Sequence, residues 1–237
     1  MRTPAGVRRR WQQAWQGPWG WWLALALSTA TFLLWPQLDL QVAQWFHAGQ
    51  GVFPANQSAW VQAVYVGAPR VGQVLFGLAL VLLLLRVLGW RGQPGLQRRA
   101  LAWVLVVLLG VGLIVHEALK NSVGRPRPVQ VLSGQAHYVP PFHLSDQCQR
   151  NCSFVSGHAA IGFSLMAWGL WSAPDRRRRW WWIGMGTGLG IGAVRMMQGG
   201  HFLSDVIFSG LSVWSASWLV QEAGWRRRWL RTRTRQR

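Results

Sequence analysis

The chain has 237 residues, is 51% hydrophobic, carries 19 Trp and has a formal net charge of +19. A soluble protein this basic would point to nucleic acid as partner. Here the basic residues stand in clusters separated by long uncharged apolar runs, which sets a nucleic-acid binder aside and predicts an all-α, multispanning membrane protein.

Six spans are predicted. The first, residues 19–36, follows a basic stretch with Arg2, Arg8, Arg9 and Arg10 and lacks a clear small-x-small cleavage site, so it reads as a retained span. Residues 37–70 are polar and aromatic, with Trp45, Phe46, Phe53 and Trp60, and read as a loop lying in the membrane interface. Spans at 71–88 and 100–119 flank Arg86, Arg91, Arg98 and Arg99. A second loop, 121–156, is rich in Pro, Gln, Ser and His. Spans at 157–171 and 180–196 flank Arg176 to Arg179, and a last span covers 202–221 ahead of an arginine-rich end. Trp19, Trp21, Trp22, Trp35, Trp90, Trp171 and Trp180–Trp182 lie near run ends, where amphipathic rings anchor at the interface. In the fifth span Gly184, Gly186, Gly188, Gly190 and Gly192 predict close helix packing.

Charge sets the orientation. With six spans, the four arginine clusters fall on one side, so both termini are expected in the cytoplasm of a bacterial inner membrane. Residues 1–237 form a single domain on this reading, with basic cytoplasmic tails at 1–18 and 222–237. Arg70, Lys120, Arg125, Arg127, Arg150 and Arg195 are left on the periplasmic side, where the rule disfavours them. Lys120 is also the only lysine in the chain.

Cys148 and Cys152 lie on that side as CQRNC. An oxidising space is compatible with a disulfide. Two free thiols, or a zinc site shared with His137 and His143, are the alternatives.

Ionisable residues at a membrane boundary are functional candidates by default. They fall here in three clusters: Lys120, Arg125 and Arg127 after span three, Ser156-Gly157-His158 at the start of span four, and Arg195, His201 and Asp205 between spans five and six. His158 and His201 are separated by two crossings and a short loop, which returns the chain to the same surface. Lys120, Arg127 and Arg195 offer three cations suited to phosphate oxygens. Ser156 and Gly157 open a helix, whose free N–H groups favour an anion. His201 and Asp205, spaced i, i+4, share a helical face, so the carboxylate would fix the imidazole tautomer and leave the other nitrogen as nucleophile. His158 is then the proton donor to a leaving oxygen. Glu117, next to His116, is placed to pair with Lys120, and Arg125 is read as a contact for a second anionic group of the substrate.

These residues carry a family pattern. Lys120, six residues, then Arg127-Pro128; Val155-Ser156-Gly157-His158; and Val194-Arg195, five residues, His201, three residues, Asp205: together they resemble the three-part signature of the type 2 phosphatidic acid phosphatase superfamily over residues 117–209. Val155 and Val194 stand where that family usually has Pro and Ser. The resemblance implies a cofactor-free, metal-independent lipid phosphatase. In it His201 forms a phosphohistidine, Asp205 orients His201, and His158 is acid and then base. Lys120, Arg127, Ser156, Gly157 and Arg195 hold the phosphoryl group. The segments CQRNCSFVSGHA and GGHFLSDV are similar to the branch that includes lipid A phosphatases. Phosphatidic acid, phosphatidylglycerophosphate and polyprenyl pyrophosphate are the other expected substrates, and transfer of phosphate to another lipid is an alternative outcome. A transporter would carry charge near the bilayer midplane, which the spans lack. A non-catalytic lipid-binding protein is the rival of a different class.

Overall fold

The computed structural model of the chain describes residues 18–90, 92–120 and 122–234. Nearly all of the basic tail at 1–18, and Arg91, lie outside the described residues. The rest is helical, with no strand among the described residues. The helices are α1 Pro18–Leu34, α2 Leu38–Gln44, α3 Ala59–Val87, α4 Pro94–Lys120, α5 Pro128–Leu132, α6 Gly157–Ser164, α7 Pro174–Met197 and α8 Leu203–Thr234.

Three of these are long and apolar enough to cross a membrane: α3, α4 and the Leu203–Gly224 part of α8. A fourth crossing is present if α1 and α2, bent by 82° at Trp35-Pro36-Gln37, are one broken span. The other two expected spans are weaker. Helix α6 passes into a 3₁₀ turn at Leu165–Gly169, and the pair runs only about 22 Å against a hydrocarbon core of about 30 Å. Helix α7 has 24 residues, but Asp175 and Arg176 to Arg179 occupy its first turns.

Several boundaries moved for local reasons. Helix α3 starts at Ala59, inside the expected interfacial loop, because extended Ser58 opens a continuous helix that runs through Pro69. A proline costs one ladder bond there without ending the helix. Pro94 sits at the first position of α4, where its missing N–H is spare, so Arg98 and Arg99 lie within the helix. The second half of α4, Val107–Lys120, has the wider π-helical turn. The last helix runs on to Thr234, so the arginine-rich end begins as helix.

The core lies between α4, α6, α7 and α8. Gly184, Gly188 and Gly192, four apart on α7, are buried. A Cβ on Gly188 would strike the Phe163 ring, and one on Gly192 would strike Val206, whereas Gly186 and Gly190 face open space. Within a bilayer such contact is stabilised by dispersion rather than by release of water. The glycine stripe therefore brings α7 onto α6 and α8, and with it the site segments at the ends of these helices.

Candidate active site

Four helix ends meet at one place. Lys120 closes α4 and is 6% exposed. The chain then leaves in extended form. Arg127, ahead of Pro128, has φ −83° and ψ 155°, as a residue before proline should. Its backbone N–H donates to Gln130 Oε1 at 2.9 Å, and its Nη2 donates to the Asn151 carbonyl at 2.8 Å.

Ser156 is the N-cap of α6, accepting from the Ala159 N–H. This hydroxyl serves the helix as well as bordering the site. Gly157 is buried with little room over it: a Cβ there would stand 3.0 Å from His116 Nε2 and 3.7 Å from Lys120 Nζ. Neighbouring Val155 is fully buried in the apolar core, and Val194 is buried beneath the end of α7. Arg195, in the last turn of α7, is 5% exposed. It donates through Nη1 to Gln198 and has a buried Nε with no protein partner. The turn that follows uses Gly199 at φ +66°, the left-handed residue that closes a helix. It also uses Gly200, whose absent side chain makes room for the Arg195 guanidinium.

His201 precedes α8, so the expected shared helical face with Asp205 does not arise. Its Nδ1 lies 2.7 Å from the Ser153 carbonyl and 3.6 Å from Asp205 Oδ2. A carbonyl oxygen only accepts, so Nδ1 carries the proton and Nε2 keeps its lone pair. The tautomer is thus held by the backbone of Ser153, with the carboxylate as a more distant charge. Burial pushes the His201 imidazole down to about 4, and the cations Arg195 and Lys120 act the same way against the opposing pull of Asp205. At neutral pH it is uncharged.

Asp205 is fully buried and held from every side. It accepts from the Phe202 N–H at 2.7 Å, from the Ser153 hydroxyl, and from Arg125 Nη1 at 2.8 Å. Arg125 therefore cannot contact substrate, as the sequence suggested. It is 0% exposed, and its Nη2 meets Asp39 Oδ2 at 2.8 Å while Nε donates to the Val139 carbonyl. Asp39 comes from α2 and also accepts from the Ser204 N–H at 2.8 Å. A buried guanidinium that bridges two carboxylates and spends four of its five N–H groups on the protein is a structural charge group. Glu117 departs from expectation too: no ion pair joins it to Lys120 among the described residues. The π-helical turn alters the face that an i, i+3 pair would share.

Tyr65 on α3 was also missed. Its ring stacks on His158 with centroids 5.2 Å apart at 19°, and Arg195 Cζ lies 4.4 Å over it. Asp39 and Tyr65 stand far from the signature in sequence, and only a fold could bring them in. Cys148 and Cys152 form a disulfide, with Cα atoms 5.6 Å apart, so neither sulfur is free for zinc. The loop it closes contains Asn151, which holds Arg127, and leads straight into Ser153. The residues brought together are Lys120, Arg127, Gly157, His158, Arg195, His201 and Asp205, which make a cationic cleft around two imidazoles.

Residues 101–229 match the PAP2 superfamily. The chain is 35% identical to a lipid A 4′-phosphatase of Francisella tularensis subsp. novicida over 83% of this chain and 90% of that protein. It is 28% identical to lipid A 4′-phosphatases of Rhizobium etli (82% of this chain, 80% of that protein) and Rhizobium leguminosarum (82% and 88%). No solved structure matches.

Proposed function

The chain belongs to the PAP2 superfamily and is a membrane lipid phosphatase, and we propose that its substrate is the 4′-phosphate of lipid A. The observation that carries the chemistry is His201: a buried neutral imidazole with Nδ1 bound to a carbonyl and Nε2 free. The names of the relatives support the substrate.

Nε2 of His201 attacks phosphorus as the bond to the lipid oxygen breaks. His158 gives its proton to that oxygen. A water molecule then loses a proton to His158 and attacks the phosphohistidine, which returns the lone pair to Nε2 and frees inorganic phosphate. Lys120, Arg127, Arg195 and the Gly157 N–H at the start of α6 stabilise the equatorial oxygens. Asp205, paired with an Arg125 that it shares with Asp39, faces the positive charge that the ring of His201 acquires.

The chain forms one domain and crosses a bacterial inner membrane six times, with both termini cytoplasmic and the cleft periplasmic. The clustering of arginines supports this orientation. The long helices α3, α4 and α8 supply three of the crossings. The broken α1–α2 pair, α6 and α7 supply the others, the short α6 being shielded by its neighbours.

Phosphate release from purified protein tests the reading, with lipid A, phosphatidic acid, phosphatidylglycerophosphate and undecaprenyl pyrophosphate as substrates. Lipid A 4′-phosphate is expected to give the highest kcat/KM, and a higher value for another lipid overturns the substrate assignment. Full turnover by His201→Ala overturns the mechanism.

A further inference from the structure

We propose that Tyr65 is a positioning residue for the general acid: its ring holds the His158 imidazole and the Arg195 guanidinium in the register that proton transfer to the leaving oxygen requires. The proposal rests on the reading of His158 as that acid. It concerns a helix outside residues 101–229, the part that matches the family.

His158 needs an outside support. It is the second residue of α6, at a helix start with no carboxylate beside it in sequence. His201 is fixed by the Ser153 carbonyl and Asp205, but among the described residues no side-chain ion pair reaches His158. What does contact it is the face of Tyr65, nearly parallel at 5.2 Å. The same ring lies beneath Arg195 at 4.4 Å. A π face attracts both the guanidinium and an imidazole that carries its proton. Tyr65 thus fixes the angle of the acid relative to a phosphate-holding arginine, and these two groups must act on neighbouring atoms of one substrate.

The groups facing His158 are Lys120 from α4, Arg195 from α7, His201 ahead of α8 and Tyr65 from α3. Of these, Lys120 and Arg195 are cations, whereas Tyr65 meets the imidazole with an aromatic face.

The sugar alkoxide released from a 4′-phosphate is a poor leaving group and needs a proton as the P–O bond breaks. The p-nitrophenolate released from p-nitrophenyl phosphate does not. Loss of positioning should therefore depend on the leaving group, whereas a general loosening of the fold should not.

The test uses the full-length protein in detergent micelles. Tyr65→Leu removes the ring and Tyr65→Phe keeps it. Tyr65→Leu is expected to lower kcat on lipid A about 10- to 100-fold, part of what a general acid supplies. KM should stay within about twofold, since no phosphate contact is removed. Tyr65→Phe should retain wild-type kcat. On p-nitrophenyl phosphate Tyr65→Leu should lose at least about fivefold less than on lipid A, only what the loosened Arg195 costs. Should the wild type not turn that compound over, the kcat–pH profile on lipid A decides the matter. The fall on the alkaline side, which reports the protonated acid, should then disappear in Tyr65→Leu. Wild-type kcat on lipid A in Tyr65→Leu, or an equal loss on both substrates, or an unchanged alkaline limb, overturns the proposal. His158→Ala separates the two readings. If it keeps full lipid turnover, the acid assignment itself fails. If it loses turnover while Tyr65→Leu does not, only the role of Tyr65 fails.

Discussion

Asp205→Asn separates two ways in which a carboxylate can serve a histidine. In a Ser-His-Asp triad the aspartate sets the tautomer, and the corresponding amide costs about 10⁴ in kcat because the wrong nitrogen carries the proton. In this protein the Ser153 carbonyl binds Nδ1 at 2.7 Å, and Asp205 Oδ2 stands at 3.6 Å. The amide should leave the tautomer intact while removing the charge and turning one acceptor oxygen into a donor. A unit charge at that distance acts on the forming imidazolium with about 5 kcal/mol at an effective dielectric of about 20. Arg125, bonded to the same carboxylate at 2.8 Å, offsets much of it. A net loss of about 2–3 kcal/mol remains, or about 30- to 150-fold in kcat. Initial-rate phosphate release from lipid A, with the folded fraction checked by circular dichroism, measures it. A loss near 10⁴ would return the tautomer to Asp205, and no loss would mean that the carboxylate does not face the charge at all.

Other consequences are smaller in scope. Lys120→Arg should lower kcat/KM about tenfold or more, because a larger guanidinium has to fit at a position that is 6% exposed and overpacking costs about 1–3 kcal/mol; near-normal turnover of this variant would contradict the phosphate role. Opening the Cys148–Cys152 disulfide by double substitution to Ser should raise KM more than it lowers kcat, since the loop holds Arg127 through Asn151. Thermal melts of that variant should show a loss of about 2 kcal/mol for so short a loop. The pH dependence follows from His201, whose imidazole is pushed from 6.5 to about 4 by burial. Its neutral form is favoured on folding, so the stability it contributes is complete above pH 6.5 and is lost as pH falls from 6.5 through 4. That loss amounts to about 3 kcal/mol and should be missing from melts of His201→Gln.

What could be read along the chain was the chemistry that travels in short segments. The Lys120–Arg127 spacing, Ser156-Gly157-His158 and Arg195–His201–Asp205 are each confined to a short stretch, and apolar run lengths place all three at one surface. What escaped was every partner supplied from afar. Arg125 looked like a substrate contact because its carboxylates lie 86 and 80 positions away. Asp39 and Tyr65 belong to a stretch that reads as interfacial loop, whereas α3 already begins inside it at Ala59. Asp205 was given the whole task of orienting His201 because sequence displays side chains and hides carbonyls, and Ser153 acts through its carbonyl. The short α6 escaped for a related reason: hydropathy sees Gly157 to Trp171 as continuous, while the backbone tightens into a 3₁₀ turn after Ser164.

The central claim is that phosphorus passes through a bond to His201. Rapid acid-free quenching of the purified protein with lipid A labelled at the 4′-phosphate, followed by peptide mapping, tests it most directly. The expected result is an acid-labile, base-stable phosphoryl group on the peptide containing His201, absent from His201→Ala and accumulating when His158→Ala is mixed with a labelled aryl phosphate. Label on any other residue, or full turnover by His201→Ala, would contradict it.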